Sequence, residues 1–205
     1  MENFYGNSYN FYSQSYWKNK YNNLLTPNGF TYYPNAEYNY LVRIIDDLNN
    51  QYKCNIMDVC CGNGLLLKHL MEHCRSQIIP FGIDFIKPSI KQAVKVVHPN
   101  YRNNFFLSNA IEFDFSTNVF DFILLDPYHF TNQDLTRLLQ TLIKQVSNSV
   151  IFYTYADVLI NNNFKSVVDF PVLARSSNMN IFNYDEISIA VLSSCRSIVT
   201  DSPII

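Results

Sequence analysis

Two hydrophobic rhythms alternate along the chain from about residue 37 onward. Short runs of consecutive apolar residues, of strand length, are separated by longer stretches whose apolar positions fall three or four residues apart. This alternation predicts a doubly wound α/β domain, with a mostly parallel sheet covered by helices. Glu37 to Tyr52 reads as a helix with Tyr40, Leu41, Ile44, Ile45 and Leu48 inward. A first strand runs into Asp58, and a helix with the stripe Leu66, Leu67 and Leu70 follows it. Gln77 to Asp84 is a second strand; Pro88 then starts a helix carrying Ile90, Ala93, Val94 and Val97 at helical spacing. Asn104 to Leu107 and Phe120 to Leu125 read as strands three and four, and Asp134 to Val146 as an amphipathic helix. Ser149 to Tyr155 is a fifth strand, and Ala156 to Phe164 a short helix or loop. Val167 to Leu173 and Ile187 to Leu192 then form a closing antiparallel hairpin across an Asn-rich loop.

The first 36 residues break this pattern. Tyr, Phe, Asn and Ser crowd them, and aliphatic residues are nearly missing before Leu24. Ser15 to Leu25 reads as a short helix, and Thr26-Pro-Asn-Gly29 as a turn. The chain thus divides into an aromatic cap or lid over residues 1–36 and a catalytic-size domain over 37–205.

Chemistry concentrates where strands end. Asp58-Val-Cys-Cys-Gly-Asn-Gly64 is an acid followed by a tight Gly-x-Gly turn that opens into a helix, which lets a ligand approach the backbone closely. The dinucleotide fingerprint would need glycine at Leu67, and no Gly-Lys-Ser/Thr phosphate loop occurs, so the pattern favours a nucleoside without a polyphosphate. Asp84 lies about 20 residues past Gly64, the separation expected of an acid that accepts hydrogen bonds from ribose hydroxyls. Asp58, Asp84, Asn109 and Asp126 all fall at strand ends, where doubly wound sheets bind their ligands.

These motifs, in this order, resemble class I S-adenosylmethionine-dependent methyltransferases from about Glu37 to about Ser194. The glycine turn is similar to the family's first motif in its Asp-x-Cys-Cys-Gly-x-Gly form, and Gly82-Ile-Asp84 with Pro88-Ser-Ile-Lys-Gln-Ala93 resembles the second. Asn109-Ala110 with Phe113, and Val119 to Asp126, resemble the third and fourth. The resemblance implies a Rossmann-like, seven-stranded sheet ending in an antiparallel hairpin, and S-adenosylmethionine as cofactor. It implies that Asp58, Cys60, Gly62 and Gly64 hold the methionine moiety, that Asp84 binds ribose, and that Phe85 lies against adenine. Asn109, beside Ala110, would bond the adenine amino edge, and Asp126 would complete the cofactor site. Two departures stand out: Cys60 takes the place of the first glycine, and Asn109 that of a frequent Asp. Relatives often carry an N-terminal segment that folds over the cofactor. Here Tyr12, Tyr16, Trp17, Tyr21, Phe30, Tyr32 and Tyr33 would line it, suiting a flat aromatic or a cationic acceptor.

Composition narrows the acceptor. The 205 residues fit one main domain, with 48% hydrophobic and 16% charged residues. A net charge of −2, with 15 Lys and Arg thinly spread, lacks the clustered positive charge that drives nucleic-acid binding. A small-molecule acceptor, methylated on oxygen or nitrogen, is therefore favoured over RNA or DNA. Five cysteines with no secretory leader suggest a reduced cytoplasmic setting, and no apolar run nears the ~20 residues of a membrane span. No coiled coil or other interface signal appears, which leaves a homo-oligomer open.

Asp126-Pro-Tyr-His-Phe130 is the best catalytic candidate. Tyr128 would form a pocket wall and His129 would take a proton near neutral pH; the plainer reading has both capping the next helix. The segment is also similar to the Asp/Asn-Pro-Pro-Tyr/Phe motif of enzymes methylating amide or exocyclic nitrogens, with its second proline missing. An amino-methyltransferase for a protein or RNA nitrogen is thus one alternative. A silent partner subunit of the same fold is another, disfavoured because the glycine turn and the ribose acid are intact. His69 and His73 stand four apart on a helix, but no third ligand is evident and no metal is expected. Glu112 and Asp114 suit a solvated loop better than an acid/base couple, and Cys60 and Cys61 serve more simply as small buried residues.

Overall fold

The computed structural model describes residues 37–155, 173, 178–184 and 187–193. The aromatic N-terminal segment, its Ser15 to Leu25 helix, and the segment Ala156 to Phe164 lie outside these residues. Helix α1 spans Tyr38–Leu48. Strand β1 (Lys53–Val59) leads to α2 (Leu65–His73), then β2 (Gln77–Asp84), α3 (Lys87–Val96) and β3 (Phe105–Leu107). Then come β4 (Phe120–Leu125), α4 (Asn132–Gln145), β5 (Val146–Tyr155), β6 (Met179–Asn183) and β7 (Ile187–Ser193).

All seven strands form one sheet in the order β3-β2-β1-β4-β5-β7-β6. The first five are parallel neighbours, while β7 runs antiparallel to both β5 and β6. This is the doubly wound α/β sheet with the antiparallel hairpin expected from the sequence.

Alternation along the central strands divides the core into two layers. Ile56, Phe122, Leu124, Ile151 and Ile189 face α1, α2 and α3, meeting Leu41, Ile45, Leu67, Leu70 and Ala93. Met57, Val59, Ile123, Leu125 and Phe152 face the opposite side, meeting Leu135, Leu138, Leu139 and Leu142 of α4. Because the central parts of β1 and β4 are covered on both faces, Ile56-Met57 and Phe122–Leu125 are apolar at successive positions rather than alternating ones. From β1 the chain winds outward to β2 and β3, and from β4 to β5 in the other direction. The carboxyl ends of β1 and β4 therefore border the crevice where such a sheet takes its ligand.

Several boundaries differ from the sequence reading. Helix α1 ends at Leu48, four residues before Tyr52, because Asn49 is extended and its side-chain amide bonds Gln51 O and Ser76 Oγ. Leu48, expected inward, is 38% exposed, and Val42 is buried instead. Strand β5 begins at Val146, expected to be the last residue of α4. The strand that partners β7 is Met179–Asn183, in the stretch expected to be a loop. Of the strand expected over 167–173 only Leu173 is among the described residues, and it is helical. Strand β6 sits at the sheet edge with four of its five residues exposed, so it needs no apolar run and gives no strand pattern in the sequence.

Candidate functional site

The glycine turn is built by three left-handed residues at alternate positions. After β1, Cys60 has φ 66°, Gly62 φ 54° and Gly64 φ 75°. Gly64 begins α2 where a Cβ would stand 2.9 Å from Ala93 Cβ of α3, so glycine is required there for both conformation and close helix approach. Cys60 holds the same left-handed conformation with a side chain, which is uncommon outside Gly, Asn and Asp. Cys61 donates its N–H to Ile83 O at 3.0 Å, and its sulfur abuts Gly82, where any Cβ would collide with it at 2.7 Å.

Asp84 closes the turn from the second strand. Its Oδ2 accepts the Gly62 N–H at 3.0 Å, and its Oδ1 accepts the Ile86 N–H at 2.7 Å. Its carbonyl accepts Ser108 N–H at 3.1 Å, which draws the end of β3 into the same site. Half-buried Phe85 follows directly. Asn109 bends the chain after β3, its Oδ1 accepting the Ile111 N–H at 3.1 Å, and Ala110 is buried beside it.

Asp58 lies at the heart of the cluster, 1% exposed. Among the described residues its side chain accepts a hydrogen bond from Tyr153 OH of β5, at 3.5 Å. Burial first, and then the charge of Asp84, push the Asp58 carboxyl well above its ordinary value, against the Tyr153 hydroxyl. Burial likewise raises Asp84, opposed by the N–H groups of Ile86 and Gly62 and by His129. Burial and the surrounding carboxylates raise the Cys60 and Cys61 thiols, so neither is a thiolate nucleophile. Tyr153 escaped the sequence reading. Its only signal is a polar-tipped ring inside a buried strand, and a buried tyrosine hydroxyl usually finds a partner.

Beyond β4, residues Pro127–His129 form a short 3-10 turn capped by Asp126, whose Oδ1 accepts the Tyr128 N–H at 3.0 Å. Asp126 Oδ2 lies 3.4 Å from His129 Nδ1. Tyr128, 3% exposed, packs into the core layer under α4 rather than standing in the open. Neither Tyr128 nor His129 caps α4. That cap is Thr131, whose Oγ1 accepts the Asp134 N–H at 3.1 Å and donates to Asp134 Oδ2 at 2.9 Å.

The other candidates have structural partners. His69 Nε2 meets Asn39 Oδ1 at 3.0 Å, His73 Nδ1 meets His69 O at 2.9 Å, and the two rings stack at 4.0 Å. Among the described residues no three His, Cys, Asp or Glu gather as a metal site. Asp114 caps a 3-10 turn through Ser116 N–H. No helix among the described residues is long and apolar enough to cross a membrane.

Comparison with known proteins fits this geometry. Residues 56–148 match a family model described as a methyltransferase domain. No curated protein matches the chain. Among solved structures, magnesium protoporphyrin IX methyltransferase from Synechocystis PCC 6803, with bound S-adenosylmethionine, is 14% identical over 76% of this chain and 77% of that one, with a TM-score of 0.53. The N-methyltransferase NodS from Bradyrhizobium japonicum WM9, in complex with S-adenosylhomocysteine, is 12% identical over 78% of this chain and 86% of that one, with a TM-score of 0.55. The plantazolicin methyltransferase BpumL is 13% identical over 77% of this chain and 82% of that one, with a TM-score of 0.51. The family-model match over residues 56–148 and the sheet order shared with these structures give the chain the fold of class I methyltransferases. S-adenosylmethionine is the ligand bound in the first of these structures.

The residues present suit that cofactor. Asp58 is a buried carboxylate without a cationic partner among the described residues, and its charged neighbours are further carboxylates. Such an arrangement is costly alone and favourable once a cation enters. S-adenosylmethionine carries two positive centres, an ammonium and a sulfonium.

Proposed function

We propose that this chain is an S-adenosylmethionine-dependent methyltransferase acting on an oxygen or nitrogen of a small-molecule acceptor. In this reading Asp58, Cys60, Gly62 and Gly64 hold the methionine end of the cofactor. Asp84 accepts from the ribose hydroxyls, using the acceptor capacity left on its two oxygens. Phe85 lies along adenine, with Asn109 and Ala110 at its edge. The observation that carries the reading is the gathering of Asp58, Asp84 and Asp126 at the ends of β1, β2 and β4 around one left-handed glycine turn. The thin spread of Lys and Arg supports a small acceptor over a nucleic acid. The structural neighbours named for protoporphyrin and plantazolicin are in keeping with it.

When bound, the cofactor supplies an electrophilic methyl group, and the protein's main task is to align an acceptor with it; alignment of this kind contributes roughly 7–11 kcal/mol. Calorimetric titration with S-adenosylmethionine and S-adenosylhomocysteine tests the site. Binding to the wild type that collapses in Asp84→Ala is expected, and undiminished binding in that variant would remove Asp84 from the cofactor. Incubation with labelled methyl donor and separate pools of small metabolites, proteins and RNA then tests the acceptor class, with label expected in the small-molecule pool.

A further inference from the structure

We propose that Tyr153 is a positioning residue for cofactor binding, whose hydroxyl orients the Asp58 carboxylate and holds it in the charged form that meets the cofactor's ammonium. This rests on the cofactor reading above and adds to it a residue of β5.

Tyr153 reaches Asp58 from two strands away. β4 stands between β1 and β5, so the two backbones are about 10 Å apart, twice the spacing of neighbouring strands. Asp58 is level with Leu124 of β4, which is level with Ile151 of β5. Tyr153 follows Ile151 by two residues, on the same face and nearer the carboxyl ends of the strands. From there only a long side chain with a polar tip spans β4, and tyrosine does so with two rotatable bonds. The ring is buried in the layer that faces α1, α2 and α3, together with Ile151, Ile187 and Ile189. Packing therefore sets where the hydroxyl stands. It donates to Asp58 Oδ1 at 3.5 Å and leaves Oδ2 to a ligand.

The surroundings of Asp58 make this donor matter. Asp84 from β2 and Asp126 from the end of β4 both set negative charge against it. Cys60 and Cys61 of the glycine turn are held as neutral thiols, and His129 acts on Asp84. Burial works in the same direction as the two acids and draws the Asp58 carboxyl towards its neutral form; the Tyr153 hydroxyl opposes them. A neutral carboxylic acid offers an ammonium far less than a carboxylate does. At 3.5 Å the contact is longer than the roughly 2.5–2.7 Å of a hydroxyl bonded to a carboxylate. It has room to close as the cofactor's cation draws charge onto Asp58.

The test is the titration of Asp58 in full-length protein labelled with carbon-13 at the aspartate carboxyls, read by NMR and assigned by the signal lost in Asp58→Asn. Tyr153→Phe keeps the ring and removes the donor, and should raise the Asp58 midpoint of ligand-free protein by about one pH unit. Replacing Tyr153 with 3-fluorotyrosine, a stronger donor of the same shape, should move the midpoint down. An unchanged midpoint in folded Tyr153→Phe protein overturns the proposal. Calorimetric titration with S-adenosylhomocysteine over the same pH range reads the consequence. In Tyr153→Phe the acid-side loss of affinity should move up with the midpoint, and affinity should return to near that of wild type once Asp58 is ionised. A residue that only packs would lower affinity by one factor at every pH, and that result also overturns the proposal. Failure of wild type to bind at any pH overturns the cofactor reading itself, and this role with it, whatever the midpoint does.

Discussion

Asp84 and Gly62 are joined directly, carboxylate Oδ2 to backbone N–H at 3.0 Å, so the end of the second strand holds the turn that follows the first. The other oxygen of the same carboxylate holds Ile86 N–H at 2.7 Å, at the start of α3. One buried side chain thus fixes the glycine turn and the approach of the next helix, and any ligand on the turn meets Asp84 in a set position.

Asp84→Ala should therefore lose more than a ligand contact. It leaves two backbone N–H groups without an acceptor, at about 1–3 kcal/mol each, which exceeds the relief of removing a charge that already accepts both bonds. The expected result is a lower melting temperature and no added stability from S-adenosylhomocysteine. Asp84→Asn, which keeps one acceptor oxygen, should recover part of the stability and little of the binding. Thermal melts with and without ligand check both; an Asp84→Ala protein as stable as wild type would show that the turn stands without it.

Gly64→Ala tests the turn from the other side. The left-handed φ of 75° costs a residue with a side chain about 1–2 kcal/mol, and the new Cβ meets Ala93 Cβ at 2.9 Å, which adds about 1–3 kcal/mol of overpacking. Denaturant unfolding should register a loss of about 2–5 kcal/mol. Adding Ala93→Gly should return the packing share and leave the backbone share, so a full recovery in the double variant would refute the strain at residue 64.

Removing the imidazole should separate chemistry from binding. His129→Ala is expected to keep the affinity for S-adenosylhomocysteine while turnover of a proton-bearing acceptor falls by about 10²-fold or more. Steady-state rates with labelled methyl donor check this, and an unchanged rate would take His129 out of the mechanism.

The parts legible in the sequence are those that a buried sheet forces into a pattern. β2 and β4 were bounded to the residue, because their apolar runs stop at Asp84 and Asp126, where the chain must leave the core. The Gly-x-Gly turn was legible because its geometry excludes most side chains. Strand β6 was not, since an edge strand with exposed Ile181 and Phe182 is under no such constraint. The start of α4 was read two residues late, although Thr131-Asn-Gln-Asp134 is a capping pattern and Thr131 does cap the helix. The Asp58–Tyr153 and Asp126–His129 pairs belong to another level: the first joins strands 95 residues apart, and the second depends on a turn whose shape comes from Tyr128 and Phe130 being buried.

The buried acids make the free protein and its complex respond to pH in opposite directions. Burial raises Asp58 well above an ordinary value of 3.8 and raises Asp84 in the same sense. An acid whose folded value is raised binds its proton more tightly in the native state than in the unfolded chain. Its stabilising contribution is complete below the ordinary value and is lost as pH rises through the folded one. The lowered value of exposed Asp114 acts only below that ordinary value, whereas His69, lowered by burial and by His73, opposes the trend as pH falls below its ordinary 6.5. Ligand-free protein should therefore melt at a higher temperature near pH 5 than near pH 8, on the two buried acids alone. The cofactor's cationic end needs the ionised form of Asp58, so its affinity should weaken over the same descent. Asp58→Asn removes the main source of both trends: stability at neutral pH should rise by about 1 kcal/mol or more, while cofactor affinity falls by about tenfold or more and loses its dependence on acid. Melting curves across this range, paired with calorimetry in buffers of different ionisation enthalpy, measure the two together. Proton release on cofactor binding in wild type, absent from Asp58→Asn, is the expected signature, and equal proton release in both proteins would assign the linkage to another group.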